Sequence, residues 1–195
     1  MEHIYLAFYE NQTRKVHHDQ IGDIPLDLFP FLSYEDPYYV LKSDILIGRL
    51  DRKKTFGFLR QELKDIYIDQ RDLGDAMHDD IVLVKDGIEP RVIFIVKRAL
   101  SIIIATLKKG RKDLFFEPET FIDRRLEVEH HEGLVAGHVV MLEVETIDQF
   151  AVYAHVKKII GHINDPDINT LKIVSAFEWP QKFKPETIDS LKSIN

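Results

Sequence analysis

The sequence predicts a mainly β chain built as two consecutive five-stranded barrels, with a short helix towards the C-terminal end. Three observations carry this expectation. Short runs rich in β-branched and aromatic residues follow one another from Tyr38 onward, turn residues separate them, and a second series repeats the first at similar spacing.

The first series is Ile45–Leu50, Thr55–Arg60, Ile66–Asp69, Asp80–Lys85 and Arg91–Val96. Five strands of this length in roughly 55 residues fit a barrel of the OB type. The second series is Ser101–Leu107, Leu114–Glu117, Leu126–Glu129, Val139–Val144 and Ala151–Ile160. The joint near Lys97–Leu100 has no Gly- or Ser-rich linker, which predicts barrels that touch. The first barrel is placed at residues 41–98 and the second at 99–161. Residues 162–195 form a connector, in which Asp165-Pro166-Asp167 is a helix-capping turn. Ile168, Leu171, Ile173, Val174 and Phe177 follow at the three-and-four spacing of an amphipathic helix, and Trp179-Pro180 ends it. Residues 1–40 receive no fold: Ile4 to Tyr9 are mostly apolar, and Pro25, Pro30 and Pro37 forbid a long helix afterwards.

Composition narrows the chemistry. The chain has 195 residues, 45% of them hydrophobic, enough to bury real cores. It has no cysteine, which removes disulfides, thiolate nucleophiles and cysteine-bound zinc and fits a reducing, cytoplasmic setting. No apolar stretch approaches the roughly 20 residues of a membrane span, so no membrane partner is expected. The net charge of −7 opposes a nucleic-acid partner until its distribution is read. Residues 1–48 carry a balance of −5 and residues 85–112 one of +6, with Arg49, Arg52, Lys53, Lys54, Arg60 and Lys64 as a further basic cluster. Ordinary solvated surface is the competing explanation for such charge.

The most informative segment is Lys54-Thr55-Phe56-Gly57-Phe58-Leu59. Strand alternation puts Lys54, Phe56 and Phe58 on one face and Gly57 on the other. In Ile66-Tyr67-Ile68 it turns the isoleucines inward and Tyr67 outward, towards the phenylalanines. Flat rings beside cations suit unpaired bases and their phosphates. Alternation alone leaves a buried aromatic face equally open. In the second series, Lys108-Lys109-Gly110-Arg111-Lys112 reads as a cationic loop. Phe115 and Phe116 are adjacent and cannot share one strand face, so phosphate contacts are expected there more than stacking.

Lys54–Leu59 is similar to the first ribonucleoprotein motif of cold-shock domains, and Ile66–Ile68 resembles the second. Thr55 stands where the motif usually has glycine, and Arg52 lies near a position where cold-shock proteins place tryptophan. Ala76–Val84 resembles the segment after these motifs in ribonuclease R and its relatives in the RNB family. Gly161–Ile173 resembles the stretch leading from the second cold-shock domain into that family's catalytic domain. The resemblance covers roughly residues 44–188. It implies stacking of bases on Phe56, Phe58 and Tyr67, and single-stranded RNA as the partner. Phosphate contacts are assigned to Arg49, Arg52, Lys53, Lys54, Arg60, Lys108, Lys109, Arg111 and Lys112.

Catalysis in this family uses aspartates of a separate domain that hold magnesium and activate water. No such signature occurs here, so the chain alone is expected to be inactive and free of cofactor, with Mg²⁺ confined to an exoribonuclease domain linked to or associated with it. The family's N-terminal helix-turn-helix is missing or reduced: Tyr38–Ile47 resembles only the strand that leads from it into the first barrel. Glu129-His130-His131-Glu132 and His17-His18 are weak metal candidates, because neither motif identifies a full ligand set, and no metal site is assigned. Two rival functions remain at this level: a stand-alone RNA chaperone or translation regulator, and a protein-interaction module.

Overall fold

Among the described residues neither strand series closes on itself, yet both follow one cyclic strand order. The structure, a computed structural model, describes residues 2–111, 113–129 and 133–176. It divides into two units, 1–100 and 101–195.

The N-terminal segment has regular structure. Helix α1 (Glu2–Glu10) is followed by β1 (Lys15–His17), a single turn α2 (His18–Ile21), β2 (Leu32–Glu35) and β3 (Tyr38–Leu41). The three short strands form a sheet in the order β1-β3-β2. Arg14 ties this sheet to the next strand by donating to the carbonyls of Leu41, Lys42 and Ile45 at 3.2, 2.6 and 3.0 Å.

Strands β4 (Ile45–Arg52), β5 (Phe56–Leu59), β6 (Ile66–Asp69), β7 (Ile81–Lys85) and β8 (Arg91–Lys97) then form a sheet in the order β6-β5-β4-β7-β8. Its outermost strands, β6 and β8, come close without pairing among the described residues. Strand β7 explains the unbroken apolar run Ile81-Val82-Leu83-Val84, because it is covered on both faces. Val82 and Val84 join Leu50, Leu59, Ile68, Leu73 and Ala76 in the interior of the curled sheet. Ile81 and Leu83 point the other way, against Ile4, Tyr5 and Phe8 of α1 and Phe29, Leu32, Tyr39 and Leu41. The N-terminal segment therefore covers one outer face of this sheet.

The second unit has β9 (Ile102–Lys109), β10 (Leu114–Pro118), β11 (Arg125–Val128), β12 (His138–Ile147) and β13 (Ala151–His162), in the order β10-β9-β12-β13-β11. Helix α3 (Ile168–Ala176) packs on this sheet through Ile168, against Ile104, Val139 and Met141. Lys172 anchors it to Glu119 at 2.6 Å. The preceding turn closes when Asp165 accepts the His162 N–H at 2.6 Å. Phe177, Trp179 and Pro180 lie outside the described residues, as does most of Glu129–Glu132.

Candidate nucleic-acid interface

The pairing register assembles the site. Asp51 faces Phe58 across β4 and β5, and Phe58 faces Tyr67 across β5 and β6, so one row of side chains runs over three strands on a single face. Phe56 lies two residues along β5 on that face. The three rings touch. Phe56 stacks on Tyr67 with centroids 5.7 Å apart and planes 28° apart, while Phe58 meets Phe56 and Tyr67 edge-on at 5.4 and 5.9 Å. Phe56 and Phe58 are half-buried and Tyr67 is 50% exposed, whereas Leu59 and Ile68, their neighbours in sequence, are 0% exposed. The aromatic face is thus the outer one. Ile66 is inward but only half-buried, being at the sheet margin.

Gly57 has a steric reason to separate the two phenylalanines. A Cβ there would lie 2.9 Å from Leu73 Cδ2 and 3.1 Å from Leu50 Cδ1, both side chains of the packed interior. The strand can present rings outward at 56 and 58 only if 57 adds almost nothing inward.

The cations around the rings are distributed unevenly. Arg49 and Arg60 continue the outer face at the next paired position of β4, where the Arg60 N–H donates to the Arg49 carbonyl at 2.9 Å. Arg49 lies 3.6 Å from Asp79. Arg60 is gripped by Asp51 and Asp65 together, and Lys53 reaches Asp51 at 2.7 Å. His78 Nδ1 approaches the same carboxylate at 3.4 Å. The Lys53 ammonium, then Arg60, hold the Asp51 carboxyl below the usual carboxylate range in spite of its burial. Lys54 is exposed and has no ion pair among the described residues. Arg52 is opposite Gly57, on the face away from the rings, and donates to the Ala76 carbonyl at 2.5 Å. The structure therefore groups Arg49, Lys53 and Arg60 with the rings and turns Arg52 away from them. Asp51 was absent from the sequence-derived set; alternation places it on the ring face, but its role as the anchor of Lys53 and Arg60 needs the strand pairing.

In the second unit, the β9–β10 hairpin closes with the Gly110 N–H donating to the Asp113 carbonyl at 2.8 Å. Lys108 is paired with Glu117, while Lys109 and Arg111 are exposed and without ion pairs among the described residues. Lys112 lies outside the described residues. Phe115 faces Lys108 and is 48% exposed, and Phe116 faces buried Leu107. Away from both regions, His17, His18 and Asp19 bring three potential metal-ligand atoms within 4.8 Å of one another; this grouping was not visible from the histidine pair alone.

Residues 48–86, which contain the whole ring face, match the Ribonuclease B OB domain. A curated ribonuclease R from Ureaplasma parvum is 26% identical over 95% of this chain. The chain is similar to ribonuclease R. It spans 26% of that relative's length. Among solved structures, Mycoplasma genitalium RNase R in complex with ribose methylated single-stranded RNA aligns with a TM-score of 0.53 at 19% identity, covering 71% of this chain and 25% of that one. Yeast Ssd1, described as a pseudonuclease, aligns with a TM-score of 0.58 at 13% identity, covering 74% and 28%. The ribonuclease R-like fold thus recurs in a protein named as a nuclease and in one named as a pseudonuclease, so it does not decide catalysis. The domain match begins at Gly48, within β4, and ends just beyond β7; β8 and the whole second unit lie outside it.

Proposed function

We propose that the chain binds single-stranded RNA with little sequence preference, as the substrate-binding part of a ribonuclease R-like 3′ to 5′ exoribonuclease, through two domains of cold-shock type. The observation that carries this reading is the contiguous ring face of Phe56, Phe58 and Tyr67, left open on a sheet whose other outer face is covered. Rings accept any base, because every base has a π-face, and this favours sequence-tolerant binding. Arg49, Lys53, Lys54 and Arg60 supply positive charge beside the rings, and Lys109 and Arg111 supply it in the second unit. The naming of a relative in complex with single-stranded RNA supports the same partner.

Hydrolysis, with its magnesium, is assigned to a catalytic domain outside these residues. We place the protein in the cytoplasm, the reducing setting that a sequence without cysteine fits. The test is a fluorescence anisotropy titration of labelled single-stranded and duplex RNA with the unaltered chain and a Phe56→Ala/Phe58→Ala/Tyr67→Ala variant. Single-strand binding that collapses in the variant while its circular dichroism is kept supports the proposal. Equal binding by both proteins sinks it.

A further inference from the structure

Next to the ring face, β4 loses a partner. It pairs with β7 over Ile45–Arg49 but with β5 only over Leu50–Arg52, because the chain turns away after Leu59. The other edge of Ile45–Gly48 is bridged by two side chains: Arg14, whose Nη1 donates to the Ile45 carbonyl at 3.0 Å, and Gln61, whose Nε2 donates to the Ile47 carbonyl at 2.9 Å. Gly48 permits the crossing, since a Cβ there would be 2.7 Å from the Arg60 carbonyl oxygen. The gap between this edge and the end of α1 is a cleft of about 710 Å³. Its walls are apolar where Phe8, Tyr9, Leu46 and Ile47 line them, and Arg49, Arg60 and Lys64 also border it.

We propose that this cleft is a second nucleotide site on the path of the RNA strand, taking the nucleotide next to those stacked on the rings. The inference rests on the RNA-binding reading above. Two features point to a nucleotide as occupant. The first is continuity: Arg49 and Arg60 belong both to the cleft and to the outer face of β4 and β5, and Arg60 is two residues, roughly 7 Å, from Phe58 along the strand. A strand leaving the rings in this direction meets the cleft next. The second is charge. Four cationic residues, Arg14, Arg49, Arg60 and Lys64, line the cleft against the two acidic residues Glu62 and Asp86. Arg14 is committed to three backbone carbonyls and Arg60 to two aspartates, so Lys64 and Arg49 are the groups best able to turn to a phosphate. The volume lies within the usual range for small-molecule pockets and admits a base with its ribose.

The experiment uses the whole chain and an eight-nucleotide oligouridylate with 4-thiouridine at one position at a time, crosslinked by light and mapped by mass spectrometry, together with titrations of Tyr9→Ala and Lys64→Gln. Expected are crosslinks to Phe56, Phe58 or Tyr67 from some positions and to Tyr9 or the 61–64 segment from a neighbouring one. Tyr9→Ala should weaken binding of the oligonucleotide at least 5-fold, the lower end for losing one stacked base. Lys64→Gln should flatten the log–log salt dependence by about 0.7 for one lost phosphate contact. Lys64 is exposed, so this variant keeps the test valid if Tyr9→Ala unfolds. Crosslinks confined to the ring face, with the Lys64→Gln slope unchanged, overturn the cleft site and leave the ring reading standing. Absence of binding and of all crosslinks overturns both.

Discussion

Tyr67 and Ile68 are adjacent on β6 yet face opposite ways, and replacing each with alanine separates binding from folding. Tyr67 is 50% exposed and touches two rings at 5.7 and 5.9 Å; Ile68 is 0% exposed within the interior of the sheet. Losing two ring contacts worth about 0.5–1.5 kcal/mol each, at a half-solvated position, sets the stability cost of Tyr67→Ala near 1 kcal/mol. That lowers the midpoint of a unit this size by about 4–8 °C. Its affinity for single-stranded RNA should fall by about 1–3 kcal/mol, roughly 5- to 150-fold, the worth of one base on one ring. Ile68→Ala should reverse the pattern: about 2–5 kcal/mol of stability lost to a cavity, with unchanged affinity once the folded fraction is counted. Tyr67→Phe should keep both properties, because stacking does not use the hydroxyl. Thermal melts by circular dichroism and anisotropy titrations at a temperature where all three variants are folded provide the readout. A Tyr67→Ala variant binding within twofold of the parent, beside a folded Ile68→Ala variant that has lost RNA, would falsify the assignment of faces.

Asp51→Asn should destabilise the first unit at neutral pH. The folded carboxyl is held below its ordinary value by Lys53 and Arg60, so its contribution is full above the unfolded pKa, about 3.9, and is lost as pH falls through the lower folded one. The gap in melting temperature between parent and variant should accordingly close below about pH 4, and a gap independent of pH would contradict the carboxylate's role. Replacing Lys108, Lys109, Arg111 and Lys112 with glutamine should flatten the salt dependence of RNA binding by roughly 0.7 per phosphate contact removed; an unchanged slope would make the hairpin plain surface. The 195-residue polypeptide, free of contaminating nuclease, should release no mononucleotides from a labelled oligoribonucleotide with magnesium present, and any release above a no-protein control refutes the assignment of hydrolysis to another domain.

The strands were legible because their cores read as alternation or as continuous apolar runs, and the ten observed strands of the two large sheets overlap the ten predicted runs. Alternation separated the two faces, with Gly57 between two phenylalanines and Tyr67 between two isoleucines, but left open which of them faced outward; the resemblance to the ribonucleoprotein motifs made the rings the expected outer face. The N-terminal segment was not legible. Its strands are three or four residues long, too short for a period, and β1 finds its partner at Val40, 25 residues from Lys15. Ion pairing was also hidden. Lys53 and Arg60 read as available cations, but Asp51 sits across the strand pair from Phe58 and engages both. Arg52 reads the same as its neighbours in a basic run, and only the register with Gly57 turns it to the opposite face.

The two units use one ring of strands opened at different seams, and this difference decides where stacking can occur. Numbering the strands of each unit one to five in chain order, the first sheet runs 3-2-1-4-5 and the second 2-1-4-5-3. Both follow the cyclic order 1-2-3-5-4, broken between strands three and five in the first unit and between two and three in the second. The ring face of the first unit depends on strands two and three being paired, because Phe58 and Tyr67 face each other across that junction. In the second unit this is the open seam: β10 ends the sheet on one side, while β11 is parallel to β13 on the other. Among the described residues, Phe115 consequently has no ring across a strand pair to complete a platform, and its cross-strand neighbour is Lys108. On the proposed RNA-binding reading, Phe115 offers a base one ring, and the second unit contributes chiefly through the cationic hairpin that joins strands one and two. Under the same proposed reading, a division of labour between stacking in the first unit and charge in the second follows from which junction of a shared strand order each unit leaves unpaired.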